Sequence, residues 1–295
     1  MSLIKPIPLD LAPKSPHETM ASSHSHDQNR YQILNVVSRG SFGVVYRAWD
    51  MEAREIVAIK HELEGLSRST LREIKILESL PHHRSIVELK KVTVDKRGRV
   101  LVAMEFLPSD LRRLIAARKV AFSATKLKIM MSQILKGVRF LHENGVMHRD
   151  LKPSNILVNK KDRLKICDFG LSRWENGSGS YSPGVGTKWY RAPELLIGKK
   201  NYTSAIDMWS VGCIMAELAL RKVLFPGKSE LEQLGYMHYF SGPTLRKMLS
   251  VSAPMLSEAG LDLLLSLLAL DPNDRITANE ALKHPWFQLS SVMIN

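Results

Sequence analysis

The feature that most constrains this chain is the eight-residue run HRDLKPSN at positions 148–155. Asp150 could orient an attacking hydroxyl group and accept its proton, and Lys152 could neutralise negative charge that builds on a transferred phosphoryl group. The amide oxygen of Asn155 suits a hard Mg²⁺ ion. The alternative is a polar loop that only joins a helix to a strand. A base, a cation and a metal ligand within one short loop favour a role in phosphoryl transfer instead.

Three residues elsewhere in the chain could complete a phosphate site. A strand-like segment ends at Asp168, whose carboxylate could hold Mg²⁺ between two phosphates. Another strand-like segment ends in Lys60, which would point opposite to Ile59 and into a cleft. A lysine at a strand end is usually only a snorkelling surface residue. Here Glu73 follows on a predicted helix, so it could pair with Lys60 and hold the lysine on the phosphates.

A glycine-containing segment at 38–45 lies between two strand-like segments. Glycines there would let backbone N–H groups approach the phosphates of a nucleotide closely. Hairpin turns also use glycine, so this segment alone is open to either interpretation. Ser38 stands where the glycine-rich pattern expects its first glycine, which is a departure from that pattern.

The apolar pattern predicts a β-rich beginning followed by a mainly helical remainder. Strand-like segments occur at 31–37, 44–49, 57–60, 86–94 and 100–104, and helical spacing follows at 71–80, 125–144 and 257–270. The stretch 205–220 is apolar nearly all round, which is expected of a helix buried inside a lobe. At 105–108 the strand pattern breaks, which suits a hinge whose backbone groups bond a flat heterocycle, although an ordinary strand end would look the same. Arg275 could pair with Glu194, or could be an inert surface arginine.

Composition narrows the function classes. The 295 residues can form one large domain or two small lobes. A net charge of +13 would attract nucleic acid or an acidic partner, or would reflect a solvated basic surface with cations that serve a phosphate site. We favour the second interpretation because no nucleic-acid-binding motif accompanies the charge, so direct binding of nucleic acid is not expected.

The chain ends and the cysteines add three expectations. Residues 1–30 are rich in Ser, His and Pro and predict a disordered N-terminal tail, and 288–295 would form a C-terminal tail. No apolar run is long enough to span a bilayer, so no membrane partner is expected. Cys167 and Cys213 lie in apolar sequence, which fits a reducing compartment without structural disulfides.

From about Tyr31 to Phe287 the chain resembles a eukaryotic protein kinase, because the motifs of that family occur in the same order. They are Val57-Ala58-Ile59-Lys60, Glu73, His148-Arg149-Asp150, Asn155, Asp168-Phe169-Gly170 and Ala192-Pro193-Glu194. The resemblance implies an α+β, two-lobed protein-kinase fold over 31–287. It also implies a β-rich N-lobe at 31–106, a mainly helical C-lobe at 107–287, and ATP and Mg²⁺ as cofactors.

The resemblance also implies a role for individual residues. The catalytic residues would be Asp150, Lys152, Lys60 and Glu73, and the metal ligands would be Asn155 and Asp168. The ATP-binding residues would be Val37, Ser38, Arg39, Gly40, Ser41, Phe42, Gly43, Val44, Val45, Ala58, Lys60, Glu105, Leu107, Asp110 and Leu157. The reaction would be transfer of the γ-phosphoryl group of ATP to a protein Ser or Thr.

Within the kinases the chain is similar to the cyclin-dependent family. Thr187-x-Trp189-Tyr190-Arg191 and the segment 207–213 are typical of the cyclin-dependent and mitogen-activated branch, and no Thr-x-Tyr activation pair is present. The segment Ser67–Glu73, SRSTLRE, stands where cyclin-dependent kinases carry their cyclin-binding helix and is nearest the PITSLRE-like variety. The resemblance implies a cyclin partner at this helix. It also implies residence in the nucleus or cytoplasm and a role in the cell cycle, transcription or RNA processing.

Two regulatory features follow from that resemblance. Ser182 stands where the family has its activating Thr, which an upstream kinase phosphorylates, and three arginines fit a phosphate there: Arg72, Arg149 and Arg173. Gly186 and Arg191 match the positions that form the family's pocket for a substrate proline. The sequence therefore predicts Ser/Thr-Pro substrates.

Three departures from the family pattern affect regulation. Phe42 replaces the Tyr that many members use for inhibitory phosphorylation, so that control should be missing. The stretches 231–256 and 60–73 are shorter than usual, which puts adaptor binding at the first of them in doubt.

A pseudokinase scaffold is the alternative function, favoured by Ser38 and the short stretches. A basic protein associated with nucleic acid is a third. The intact Lys60 and Asp150 favour an active kinase.

Overall fold

Residues 30–40, 43–62, 66–95, 97–118, 120–175, 181–182 and 184–288 are described by the computed structural model of the chain. The predicted tails lie outside these residues except at Arg30 and Gln288. Two of the candidate ATP contacts, Ser41 and Phe42, also lie outside them.

The N-lobe contains an antiparallel sheet of five strands. They are β1 (Tyr31–Gly40), β2 (Gly43–Asp50), β3 (Glu55–Glu62), β4 (Leu89–Val94) and β5 (Val100–Glu105). Their order across the sheet is β1-β2-β3-β5-β4. Alternation along β3 buries Val57 and Ile59 in a small core with Ala48 and Ala103, whereas Lys60 faces away from that core.

One helix, α1 (Arg68–Ser79), crosses from β3 to β4. Its N-cap is Ser67, whose side chain accepts a hydrogen bond from the backbone N–H of Thr70. The helix ends at Ser79, and its C-cap Leu80 lies directly before Pro81, which cannot continue a helix. Its buried face presents Glu73 towards β3, which places a carboxylate at the edge of the cleft.

Ile86 and Val87, which the sequence assigns to a strand of the N-lobe, bond to Ile166 of the C-lobe instead, whereas the Glu88 carbonyl accepts from Glu105 N at 2.9 Å. Strand β4 begins only at Leu89. Ile86 forms an isolated parallel bridge with Ile166, and Val87 donates its N–H to the Ile166 carbonyl at 2.9 Å. An apolar run indicates that a segment is buried, but it does not indicate in which core the segment lies. The prediction of a strand over 86–94 is therefore wrong for its first three residues.

The C-lobe is mainly helical, with short strands beside the cleft. The strands are β6 (Ser109–Asp110), β7 (Val146–Met147), β8 (Ile156–Val158), β9 (Leu164–Ile166) and β10 (Arg173–Trp174). The helices are α2 (Leu111–Ala117), α3 (Ala124–Glu143), α4 (Pro193–Leu196), α5 (Ala205–Leu220), α6 (Glu230–Tyr239), α7 (Gly242–Ser252), α8 (Glu258–Leu267), α9 (Ala278–Lys283) and α10 (Pro285–Gln288). This architecture confirms the two-lobed α+β expectation.

Helix α5 forms the centre of the C-lobe core. Nearly all of its residues are buried, because it packs against both α3 and α8. Within the described residues, no helix is both long and apolar enough to cross a bilayer. The short stretch 231–256 forms most of α6 and α7, and α7 packs on α8 through Leu245 and Leu249.

A buried ion pair joins two distant parts of the C-lobe. Arg275 Nη1 lies 2.7 Å from Glu194 Oε1, and both side chains are almost fully buried. Arg275 also donates to the Ala205 carbonyl at 2.8 Å, where α5 begins. The predicted pairing is confirmed, and it joins α4, which carries Glu194, to the beginning of α5 in the helical core.

Candidate active site

The loop 148–155 is held in place by Asp207, at the start of α5. The Asp207 carboxylate accepts hydrogen bonds from the backbone N–H groups of His148 and Arg149, both at 2.8 Å, and contacts His142 Nε2 at 3.0 Å. Burial would raise the pKa of Asp207, but its hydrogen bond with His142 and the nearby positive charges hold that pKa below its ordinary value. The sequence indicated Asp207 only as part of a motif, because this contact spans about sixty residues.

Asp150 lies at the centre of a hydrogen-bond network. Its Oδ1 accepts from Thr187 N at 2.8 Å and from Thr187 Oγ1 at 3.0 Å. Its Oδ2 accepts from Lys152 Nζ at 2.6 Å and from Asn155 Nδ2 at 3.2 Å. Lys152 also donates to Thr187 Oγ1 at 2.9 Å. The carboxylate is therefore fixed in orientation, and sequence reasoning missed the part that Thr187 has in fixing it.

Lys60 and Glu73 form the predicted ion pair between β3 and α1. Their Nζ and Oε2 atoms are 2.6 Å apart, and Glu73 is buried. Burial would lower the pKa of Lys60, but the charges of Glu73, Asp168 and Glu62 raise it above the ordinary value, so the lysine is charged. The other Glu73 oxygen accepts from Phe169 N at 3.3 Å. Lys60, Glu73 and the turn that follows Asp168 are therefore brought together.

Asp168 acts on Lys60 through its charge, and Asn155 lies beside the segment that leads to Asp168. Asp168 is exposed, has a left-handed backbone with φ of 66°, and begins the short helical turn Phe169–Leu171. Cys167 N donates to the Asn155 carbonyl at 3.0 Å, so the residue directly before Asp168 contacts Asn155. Asn155 uses its amide nitrogen on Asp150, which leaves its amide oxygen as an acceptor. One carboxylate and one amide oxygen fit Mg²⁺, which also keeps phosphate and water oxygens as ligands.

The first residue of β2, Gly43, lies close to β3, the strand that carries Lys60. A Cβ atom at Gly43 would lie 2.2 Å from the His61 carbonyl oxygen, so this position requires glycine. Val45 lies opposite Lys60 in the register of β2 and β3. Ser38 and Arg39 are exposed on β1. The described part of the candidate nucleotide loop thus lies on β1 and β2, where Val45 pairs with both Ser38 and Lys60.

The candidate ATP contacts between 105 and 110 differ in what their side chains contact. Glu105 directs its carboxylate to Lys165, with Oε2 and Nζ 2.7 Å apart, so only its backbone remains for a nucleotide. Leu107 is buried. Asp110 caps α2 by accepting from Arg113 N at 2.9 Å, and it lies opposite Leu157 in the register of β6 and β8.

Three arginines converge on consecutive carbonyl groups after Asp168, and we call them the arginine cluster: Arg72, Arg149 and Arg173. Arg72 donates to the Gly170 carbonyl, Arg149 Nε to the Leu171 carbonyl at 2.8 Å, and Arg173 Nη1 to the Ser172 carbonyl at 2.9 Å. Burial and the positive charge of Arg173 lower the pKa of Arg72, and burial with both neighbours lowers the pKa of Arg149. Mutual repulsion of this kind is relieved when an anion binds.

Ser182 lies close to this cluster through one tyrosine. Its side chain is exposed, and its carbonyl accepts from the Tyr202 hydroxyl at 3.0 Å. That hydroxyl in turn accepts from Arg149 Nη1 at 2.6 Å. The hydroxyl group of Tyr202 therefore connects the candidate phosphosite to the arginine cluster.

Gly186 has a conformation that a side chain would oppose. Its φ is 81°, and a Cβ atom there would lie 2.6 Å from the Arg149 carbonyl oxygen. Arg191 Nη2 donates to the Gly186 carbonyl at 2.8 Å, and Arg191 Nη1 pairs with Glu230 at 2.6 Å. The Gly186 carbonyl is thereby occupied within the chain.

Comparison with known proteins agrees with this geometry. The protein kinase domain family matches residues 31–287. Cyclin-dependent kinase G-2 of rice (Oryza sativa subsp. indica) is 44% identical over 88% of the chain, and human cyclin-dependent kinase 11A is 37% identical over 98%. A chain in the structure of the CAK complex of Chaetomium thermophilum bound to ATP-γ-S is 30% identical, with a TM-score of 0.84 over 95% of this chain and 97% of that one.

The two sequence relatives are longer than this chain. The chain covers 42% of the rice protein and 41% of the human protein, so the match concerns their kinase part. The family match, the identity to these relatives and the shared fold lead to one conclusion. The chain belongs to the protein kinase family, within its cyclin-dependent kinase branch.

Proposed function

We propose that this chain is a Ser/Thr protein kinase that uses ATP and Mg²⁺, prefers a proline after the acceptor residue and is activated by a cyclin. One observation carries the catalytic part of the proposal: Asp150, Lys152 and Thr187 form a closed hydrogen-bond network at one side of the cleft. The paired Lys60 and Glu73 lie on the other side.

The reaction follows from these groups. The hydroxyl oxygen of a substrate Ser or Thr attacks the γ-phosphorus of ATP, the new O–P bond forms, and the bond to the bridging oxygen of ADP breaks. Asp150 orients the hydroxyl group and accepts its proton. Lys152 lies 2.6 Å from Asp150 and can offset negative charge on the transferred phosphoryl group.

The cation side of the site positions ATP. Lys60, held by Glu73, would bind the α- and β-phosphates. Asn155 and Asp168 would hold Mg²⁺, which neutralises charge on the phosphate oxygens when it is bound. Val37, Val45, Ala58 and Leu157 would enclose the adenine.

Transfer of the labelled γ-phosphoryl group of ATP to a protein substrate tests the catalytic proposal. Wild-type protein should label the substrate, and Asp150→Asn should lower the rate by at least about a thousandfold, because the proton acceptor and the orienting carboxylate are both lost. Equal rates for the two proteins would rule out the role of Asp150. Nucleotide binding without any labelling by the wild type would favour the scaffold alternative.

The preference for proline rests on Gly186 and Arg191. Because Arg191 already occupies the Gly186 carbonyl, a backbone N–H at the next substrate position would lack this acceptor, and proline has no such N–H. A Ser-Pro peptide and its Ser-Ala counterpart should differ in kcat/KM by about tenfold or more. Equal values for the two peptides would contradict this preference.

Activation by phosphorylation rests on Ser182 and the arginine cluster. A phosphate of about −2 charge would accept charge-assisted hydrogen bonds from clustered guanidinium groups and order this segment. We expect Ser182→Ala to lower kcat strongly while the fold is retained. If Ser182→Ala and the fully phosphorylated wild type turn over at the same rate, Ser182 is not the activating site.

A cyclin would bind at α1. Leu66, just before the N-cap of α1, and Leu71 on the helix are exposed, at 45% and 39%, and apolar side chains of this kind favour contact with a partner. Leu71→Asp should abolish co-purification with the cognate cyclin, whereas Val251→Asp, at an exposed site on α7, should not. Residence in the nucleus or cytoplasm and a role in cell-cycle or transcription control accompany this proposal.

A further inference from the structure

Glu62, the last residue of β3, is a buried carboxylate that lies outside the proposed catalytic set. Only 2% of its surface is exposed. One of its oxygens accepts a hydrogen bond from Ser67 N at 3.1 Å, and the other accepts from the hydroxyl group of Thr70. A buried carboxylate is costly unless it is hydrogen-bonded, so these two contacts fix where the first turn of α1 can lie.

The contacts of Glu62 complete the beginning of α1. The first N–H groups of a helix have no partner inside it, and its N-terminal end favours a negative charge. Ser67 caps the Thr70 N–H with its own side chain, while Glu62 accepts the Ser67 N–H. The first turn of α1 contains no acidic residue. Glu62 therefore provides, from a neighbouring strand, the charge that the helix itself lacks.

Glu62 and Lys60 lie on the same side of β3, since residues two apart on a strand share a face. On α1, Thr70 and Glu73 are three residues apart and both are buried, so they share the face that is turned to β3. Strand and helix are thus joined at two points: Lys60 to Glu73, and Glu62 to the first turn. A helix that rotates or moves outward must break both.

We propose that Glu62 is a positioning residue: it holds α1 where Glu73 engages Lys60, so that the chain itself supplies part of the helix placement. The inference rests on the proposed kinase function, because it concerns the lysine that would bind the phosphates of ATP. Only four residues separate Glu62 from Ser67 in the sequence, so the end of β3 and the beginning of α1 are joined by a short connection.

Steady-state kinetics of the full chain without a partner protein tests the proposal. Glu62→Ala should lower kcat/KM for ATP by about tenfold or more, because two hydrogen bonds to a charged group are lost. Glu62→Gln keeps an acceptor for Ser67 N and a partner for Thr70, so it should stay within about threefold of the wild type. Thr70→Val, which removes one hydroxyl group without a change of shape, should lie between the two.

Thr70→Val also separates positioning from a failure to fold. Since both substitutions act on one contact, Glu62→Ala combined with Thr70→Val should cost little more than Glu62→Ala alone. If the two losses simply add, Glu62 does not act through Thr70 and the inference is wrong.

Asp50 provides the matched control. It is buried at the end of β2 in the same sheet and accepts from Glu52 N at 3.0 Å, from Ala53 N at 3.1 Å and from Arg30. Asp50→Ala should increase hydrogen exchange at 50–54 without a change in kcat/KM for ATP. Glu62→Ala should increase exchange along 68–79.

The possible failures can be told apart. If Glu62→Ala keeps wild-type kcat/KM while Lys60→Met and Asp150→Asn abolish transfer, the kinase function stands and the positioning role is overturned. If Asp50→Ala lowers kcat/KM as much as Glu62→Ala does, the effect is one of lobe stability and the positioning role is again overturned. If Asp150→Asn keeps full transfer, the proposed function fails, and the role of Glu62 fails with it.

Discussion

Asp207→Asn is the perturbation whose effect the structure determines most closely. The two Asp207 oxygens serve different donors: His148 N bonds Oδ2, and Arg149 N bonds Oδ1. An asparagine of the same shape has one oxygen and one NH₂ group, so either orientation places a donor against a backbone N–H. His142 Nε2 can accept a hydrogen bond when it carries no proton, so the NH₂ group of the asparagine can face it. In that orientation the buried N–H of His148 has no acceptor.

The magnitude follows from these contacts. A hydrogen bond to a charged group contributes about 1.5–3 kcal/mol, and a buried donor left unsatisfied costs a similar amount. Asp207→Asn should therefore lower the free energy of unfolding by at least about 1.5 kcal/mol. The affected N–H belongs to the loop that carries Asp150, two residues further along, so kcat should fall by about tenfold or more, since small errors in position are costly in catalysis.

Two measurements check this prediction. Urea unfolding gives the change in stability, and steady-state kinetics should show a lower kcat with KM for ATP within about twofold of the wild type, because Lys60 and Glu73 are untouched. Asp262→Asn is the control, since Asp262 is an exposed carboxylate whose side chain pairs with Arg246 and His284. Wild-type kcat and stability in Asp207→Asn would refute the argument that this carboxylate sets the loop.

Three further predictions follow. The pKa of Asp207 is lowered in the folded state, so its stabilisation is complete above the unfolded pKa of about 4 and is lost as pH falls through the folded pKa; because other carboxylates such as Asp50 also have a lowered pKa, the unfolding free energy should fall towards low pH in both proteins, but less steeply in Asp207→Asn than in the wild type. Arg275→Met strands the buried Glu194 charge and should cost about 3–5 kcal/mol in urea unfolding, most of which a second change, Glu194→Met, should restore. Gly186→Ala forces a side chain into a left-handed conformation against the Arg149 carbonyl, so it should lower thermal stability by about 1–3 kcal/mol and reduce the preference for Ser-Pro over Ser-Ala peptides.

The parts of the fold that could be predicted from the sequence are those with a local pattern. Helices α3 and α5 follow from apolar spacing over many turns, and their bounds lie within a residue of the prediction. The Lys60–Glu73 pair could be predicted because a strand and a helix of known direction follow each other closely. Such cases need only the geometry of one or two adjacent elements.

The parts that could not be predicted depend on contacts between distant segments. The apolar pair Ile86 and Val87 is the same in sequence whether it enters the N-lobe sheet or bonds to Ile166, and only the assembled lobes decide between the two. Asp207 becomes the acceptor for the N–H groups of His148 and Arg149 only when α5 is placed beside the loop 148–155. Glu62 gives no signal in the sequence, where a glutamate at a strand end indicates a solvated surface.

Helix α1 and the turn after Asp168 are coupled by two side chains that are adjacent in sequence. Glu73 accepts from Phe169 N at 3.3 Å, and Arg72 donates to the Gly170 carbonyl. The helix therefore cannot move away from Lys60 without releasing both sides of this turn. If a phosphate at Ser182 draws Arg72 into a new contact, the Gly170 carbonyl loses its donor, but the helix gains a charge-assisted hydrogen bond to the phosphate and depends less on Glu62. Loss of Glu62 should accordingly lower the activity of the phosphorylated chain by a smaller factor than that of the unphosphorylated chain, which the same kinetic assay on the two forms can decide.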